Sequence, residues 1–112
     1  MNYLEILEME TIDLFEKIQL PKRFREDLTT AIEILKKEGC TEVYLFGSLA
    51  TNEFHEKSDI DLAVRGCPKG KFFHVLGKLL MTLHHSVDLV DLDYRDSFAR
   101  FLEKEGDLVR IG

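Results

Sequence analysis

Apolar residues recur along the chain first at helical spacing and then at strand spacing. Leu4, Leu7, Leu14, Phe15 and Ile18 follow a period near 3.6 and predict a helix over residues 3–18. Pro21 interrupts there and suits the first turn of a second helix. That helix carries Phe24, Leu28, Ile32 and Leu35 on one stripe, and Gly39 is placed to end it. Residues 42–46 are aromatic and β-branched, which predicts a short strand. Over 59–65 the pattern alternates, so Ile60, Leu62 and Val64 share one face while Asp59, Asp61 and Ala63 share the other. From Lys71 to His84 the spacing is helical again, through Phe72, Phe73, Leu76, Leu79, Leu80 and Leu83, with Gly77 a weak point inside. Val87–Leu92 returns to strand character, and Asp93 is positioned to cap a last helix holding Phe98, Phe101 and Leu102, closed by Gly106. Residues 107–111 add a final short strand. The predicted order is α-α-β-β-α-β-α-β, an α/β (α+β) fold in which helices preceding and following the strands pack on one face of a small mixed sheet.

A length of 112 residues fits one domain, with a helical part over 1–38 and a core over 41–112. Hydrophobic residues make up 45% of the chain, enough to build a core and to set disorder aside. No apolar run approaches the roughly 20 residues of a membrane helix. Residues Met1 to Glu5 lack the basic start and apolar block of a signal peptide. The expectation is a soluble, cytoplasmic protein with no membrane partner. A formal net charge of −6 argues against binding duplex nucleic acid through bulk electrostatics. It leaves a nucleotide open, since cations and backbone amides can meet that charge. Cys40 and Cys67 lie far apart without metal-ligand spacing, and are expected to be free thiols.

Candidate chemistry gathers where apolar runs begin and end. Tyr44-Leu45-Phe46 stops at Gly47-Ser48, and ten residues later a strand opens with Asp59-Ile60-Asp61. Carboxylates at i and i+2 of a strand point the same way and repel unless they face water or hold a cation. Magnesium takes oxygen ligands and keeps substrate phosphates in its shell. A glycine lets backbone approach a phosphate, and a serine adds a hydroxyl and an amide at the start of a helical turn. Each piece alone is also the pattern of a solvated strand face or an ordinary turn. A third acid would complete a metal site and draw a proton from an attacking hydroxyl. Among Asp88, Asp91 and Asp93, Asp88 fits best, isolated between Val87 and Leu89, whereas Asp91 falls near the strand end. His84-His85, adjacent in sequence, do not face one site and read as exposed or helix-ending residues; His55 and His74 are isolated.

Gly47-Ser48, nine residues, Ser58-Asp59-Ile60-Asp61-Leu62-Ala63-Val64, and then Val87-Asp88-Leu89-Val90 together resemble the minimal nucleotidyltransferases of the DNA polymerase β-like superfamily. The resemblance covers roughly residues 30–112. It implies that the Gly47-Ser48 pair holds a nucleoside triphosphate, that Asp59 and Asp61 bind two Mg²⁺ ions, and that Asp88 completes one metal. The implied enzyme transfers a nucleoside monophosphate, AMP from ATP, to an acceptor hydroxyl. Minimal members act as antitoxins beside a helical HEPN-type toxin, so the resemblance also implies a toxin partner. A binding module that neutralises such a partner by contact, with a weak or inactive site, is the competing expectation.

The chain departs from the family in one stretch. Many members follow the serine with one residue and then Ala-Arg-Gly; here Leu49-Ala50-Thr51-Asn52 stands instead, without the basic side chain. Lys57 and Arg65 are the substitutes nearest in sequence, though each also fits a plain surface role. The helix over 3–18 is left with three surfaces to dock on: a partner, a second copy of the chain, or its own sheet.

Overall fold

The computed structural model describes residues 20–94 and 96–112. The helix expected over 3–18 lies outside the described residues. The second expected helix is α1, Lys22–Lys37. Pro21 stands at its N-cap, where a missing N–H costs nothing, and its carbonyl accepts from the Arg25 N–H at 3.1 Å. Phe24, Leu28, Ala31 and Leu35 form its buried stripe, and Gly39 turns the chain away at φ 101°. There follow β1 (Glu42–Phe46), a single helical turn α2 (Ser48–Thr51), β2 (Ile60–Arg65), α3 (Phe72–Thr82), β3 (Val87–Asp91), α4 (Ser97–Glu105) and β4 (Val109–Arg110).

The four strands make one mixed sheet in the order β3-β2-β1-β4. β1 runs antiparallel to β2 and β4, whereas β2 and β3 are parallel, joined by the crossover through α3. Alternation along the strands sorts side chains to two faces. Val43, Leu45, Ile60, Leu62, Val64 and Leu89 join Phe24, Leu28 and Leu35 of α1 and Val75 and Leu79 of α3 in the main core. This is the face on which helices were expected. α4 adds a lighter cover to the other face, where Leu102 packs with Phe46, Ala63 and Leu92. Asp61 shares the parity of Ala63, so it belongs to this lightly covered side.

Two sequence expectations are corrected. Cys40 and Cys67 are not free thiols but are joined in a disulfide, with Cα atoms 3.9 Å apart. Two turns bring them together: Gly39 delivers Cys40 beside the start of β1, and Gly66, at φ 73°, delivers Cys67 just past the end of β2. Between those turns the Thr41 N–H donates to the Arg65 carbonyl at 2.9 Å. The second correction concerns the cap of α4. Asp96, not Asp93, holds that position, its carboxylate accepting from the Ala99 N–H at 2.8 Å. Asp93 instead accepts from the Gly66 N–H at 2.6 Å, tying the loop after β3 to the end of β2.

Gly77 was the weak point of its helix, and an added methyl there meets no atom within 4 Å. Gly77→Ala should therefore stabilise the protein by about 0.5–1 kcal/mol through backbone entropy alone. A thermal melt showing an unchanged or lower midpoint would contradict this.

Candidate active site

Strand register builds the site. Phe46 at the end of β1 lies opposite Asp61, the second residue of β2, and Asp61 in turn lies opposite Asp88 in the parallel β3. Adjacent strands run about 4.8 Å apart, so Asp61 and Asp88 are close neighbours on one face. Asp59 stands just before β2, exposed, and Asp88 is exposed as well. Asp61 is half-buried between them. Burial, and then the charges of Asp88 and Asp59, push the Asp61 carboxyl up from 3.8 to about 6.

Gly47 explains how Asp61 fits. The residue has φ 71° and ψ −152°, a backbone conformation that side chains avoid. A Cβ placed there would collide with the Asp61 carboxylate. The glycine thus makes room first for a protein carboxylate, a role beyond the phosphate approach expected from the motif. Ser48 opens α2, and its carbonyl accepts from the Glu53 N–H at 2.9 Å. As in any first helical turn, the leading amides have no partner within the helix. Asn52 closes the turn in the left-handed conformation, φ 63°, which asparagine tolerates. Behind it, the His55 N–H donates to Ser58 Oγ at 2.9 Å while the Ser58 N–H returns to the His55 carbonyl at 3.0 Å. That reciprocal pair fixes the loop that delivers Asp59.

All five residues singled out from the sequence therefore converge on one end of the sheet. Arg65 does not join them. It sits at the opposite end of β2, held by Glu42 at 3.5 Å, Asp93 at 3.9 Å and Glu103 at 3.0 Å. Lys57 is exposed on the loop leading to Asp59. His84 is exposed as expected, but His85 is largely buried, its Nδ1 2.7 Å from Asp27 Oδ2. Asp27 was not singled out from the sequence: one of three acids in an amphipathic helix, it carries no local sign of partners nearly sixty residues away.

The donor set fits a divalent cation. Among the described residues no group of three or more His, Cys, Asp or Glu side chains is placed to hold a metal ion. Magnesium does not need such a group, since it retains waters and substrate oxygens. Burial, together with the charges of Asp88 and Asp59, makes the ionised Asp61 costly, and a bound cation would relieve that cost. Beside the Gly47-Ser48 turn opens a hollow of about 400 Å³, walled by Phe46, Phe98 and Leu102.

A carboxyl whose folded pKa lies above its unfolded value binds its proton more tightly when folded. Its ionisation therefore removes stability as pH rises from 3.8 to about 6. Allowing for solvent screening, the cost above that window is about 1–2 kcal/mol. Asp61→Asn should raise the metal-free melting midpoint at pH 8 by about 4–8 °C, with the gain gone at acid pH. An equal gain at both pH values, or none at pH 8, would contradict a carboxyl raised by burial and by its two acidic neighbours.

Comparisons with known proteins place the chain. A profile of the family described as "Polymerase beta, Nucleotidyltransferase" matches residues 29–110, which includes all five site residues. No curated protein sequence matches the chain. Among solved structures, a toxin-antitoxin crystallised with AMP-PNP is 26% identical, with a TM-score of 0.57 over 72% of this chain and 68% of that one. The toxin-antitoxin MntA-HepT is 24% identical, with a TM-score of 0.54 over 75% and 69%, a likeness of fold. Since the family profile spans most of the sequence and takes in both the Gly47-Ser48 turn and the three aspartates, the chain belongs to the polymerase beta nucleotidyltransferase family.

Proposed function

We propose that this protein is a Mg²⁺-dependent nucleotidyltransferase that moves AMP from ATP to a hydroxyl on a partner toxin, and so serves as an antitoxin. The single observation that carries the reading is Asp61, half-buried, crowded by Asp59 and Asp88, and seated against Gly47. Asp59 and Asp61 would hold two Mg²⁺ ions, with Asp88 completing the one nearer the acceptor. Bound Mg²⁺ would supply positive charge to the attacking and leaving oxygens of the displacement. The chain's own part is positioning and proton handling. Gly47 and Ser48 secure the β- and γ-phosphates with backbone amides and the serine hydroxyl. The hollow beside them gives room for part of the donor. Asp88, exposed at the site's edge, takes the proton from the acceptor hydroxyl as its oxygen bonds to the α-phosphorus. The bond from that phosphorus to pyrophosphate breaks, and pyrophosphate leaves. Catalysis of this kind rests on alignment and charge neutralisation.

The toxin partner is supported by the toxin-antitoxin complexes of structural relatives, one of them holding AMP-PNP. The domain is proposed to extend over 1–112, with the helical part over 1–38 and the catalytic core over 41–112. A cytoplasmic location belongs to the same proposal. Among the described residues no helix is long and apolar enough to cross a membrane. One observation favours a second reading, neutralisation by contact with a slow site. The turn after Ser48 has Thr51-Asn52 where a basic residue is common, and Arg65 is engaged elsewhere.

Transfer of label from α-labelled ATP to the co-purified partner decides between them. The enzyme reading predicts Mg²⁺-dependent labelling that Asp61→Asn reduces by at least about a hundredfold. Absence of labelling by wild type, with Asp61→Asn still neutralising the partner, would leave only the contact reading.

A further inference from the structure

Asp27 is the one buried carboxylate among the described residues, 2% exposed on the core side of α1 between Phe24 and Leu28. A charge in that position is costly unless well bonded. Its oxygens accept from the His84 N–H at 3.0 Å and the His85 N–H at 2.9 Å, and Oδ2 lies 2.7 Å from His85 Nδ1. The His85 ring stacks on Phe24, centroids 3.9 Å apart and planes 18° from parallel. Burial alone would raise the Asp27 carboxyl, yet the two amides and the imidazole hold it below its usual range. The carboxylate therefore stays charged at neutral pH, fastened to the chain just after α3.

That chain segment leads directly to the candidate site. Ser86 follows His85, and its carbonyl accepts from the Ile60 N–H at 2.8 Å. Ile60 lies between Asp59 and Asp61, and Val87 opens the strand carrying Asp88. We propose that Asp27, together with His85, is a positioning pair for the cation site, fixing the start of β3, and through Ser86 the start of β2, so that Asp88 stands opposite Asp61. This rests on the cation-site reading above. Neither residue touches substrate; each acts through the backbone that bears the ligands, in the way that outer residues orient metal ligands.

The test measures Mn²⁺ binding to the full chain by loss of the free-ion electron paramagnetic resonance signal, at a temperature where every variant is folded. Asp27→Asn, nearly isosteric but unable to accept from both amides and the ring, should weaken Mn²⁺ binding about tenfold. Amide hydrogens of Val87 to Leu89 should exchange faster in the same variant. Val43→Ala serves as control, truncating a fully buried residue that pairs with Val64 at the far end of β2. It should lower the melting midpoint comparably while leaving Mn²⁺ affinity within about twofold. Should Asp27→Asn not fold, His85→Phe keeps the stack on Phe24 and removes the 2.7 Å contact, and should weaken binding ~3-fold. Wild-type affinity in the Asp27 or His85 variant, with Asp61→Asn abolishing uptake, overturns the positioning role alone. Equal weakening by Val43→Ala overturns it too, by reducing it to general stability. A wild-type protein that takes up no Mn²⁺ instead sinks the cation-site reading, and the positioning role with it.

Discussion

Parallel pairing of β2 with β3 is the constraint from which the site follows. It sets Asp61 opposite Asp88 at the end where both strands begin, with Asp59 one step outside. Burial, and then the neighbouring charges of Asp88 and Asp59, raise the Asp61 carboxyl to about 6, a cost that a fold selected for stability alone would avoid. A parallel pair requires a crossover, and α3 provides it while packing Val75 and Leu79 into the main core. The sheet must also leave the acids accessible. It does so by placing α1 and α3 on one face and giving the acidic face only the short cover of α4.

Three other residues are arranged around those acids. Gly47 leaves the gap that Asp61 fills, and any side chain at that position would collide with it. Ser58 braces the loop before Asp59. Asp27 fastens the segment before β3 from beneath the sheet. At the opposite end, Arg65 is neutralised by three acids and the Cys40–Cys67 bond closes the turns. The three aspartates and the Arg65 ion pairs with the disulfide thus occupy opposite ends of β2.

Most of this was legible in the sequence because the relevant signals are local. Period-two alternation over 59–65 named the face of Asp61, and β1 appears at 42–46 as expected. The spacing from Gly47-Ser48 to Asp59-x-Asp61 and on to Asp88 carried the family resemblance, which the family profile bears out. What escaped depends on distant partners. Asp27 looks like an ordinary helix acid until His84 and His85 arrive beneath it. Cys40 and Cys67 meet only because two glycine turns deliver them to one place. Asp93 has the composition of a cap but is drawn to the Gly66 amide, leaving Asp96 to start α4. The cover of the second face by α4 depends on chain direction after β3, which no residue pattern encodes.

Gly47, Ser48, Asp59, Asp61 and Asp88 are proposed to form one site for a nucleoside triphosphate and its cations. A crystal structure with a non-hydrolysable ATP analogue and Mg²⁺ tests it most directly. Metal should be bound by Asp59 and Asp61 at about 2.1 Å, with phosphate oxygens against the Gly47-Ser48 amides. Nucleotide seated elsewhere, or metal density that leaves Asp61 without a contact, would contradict it.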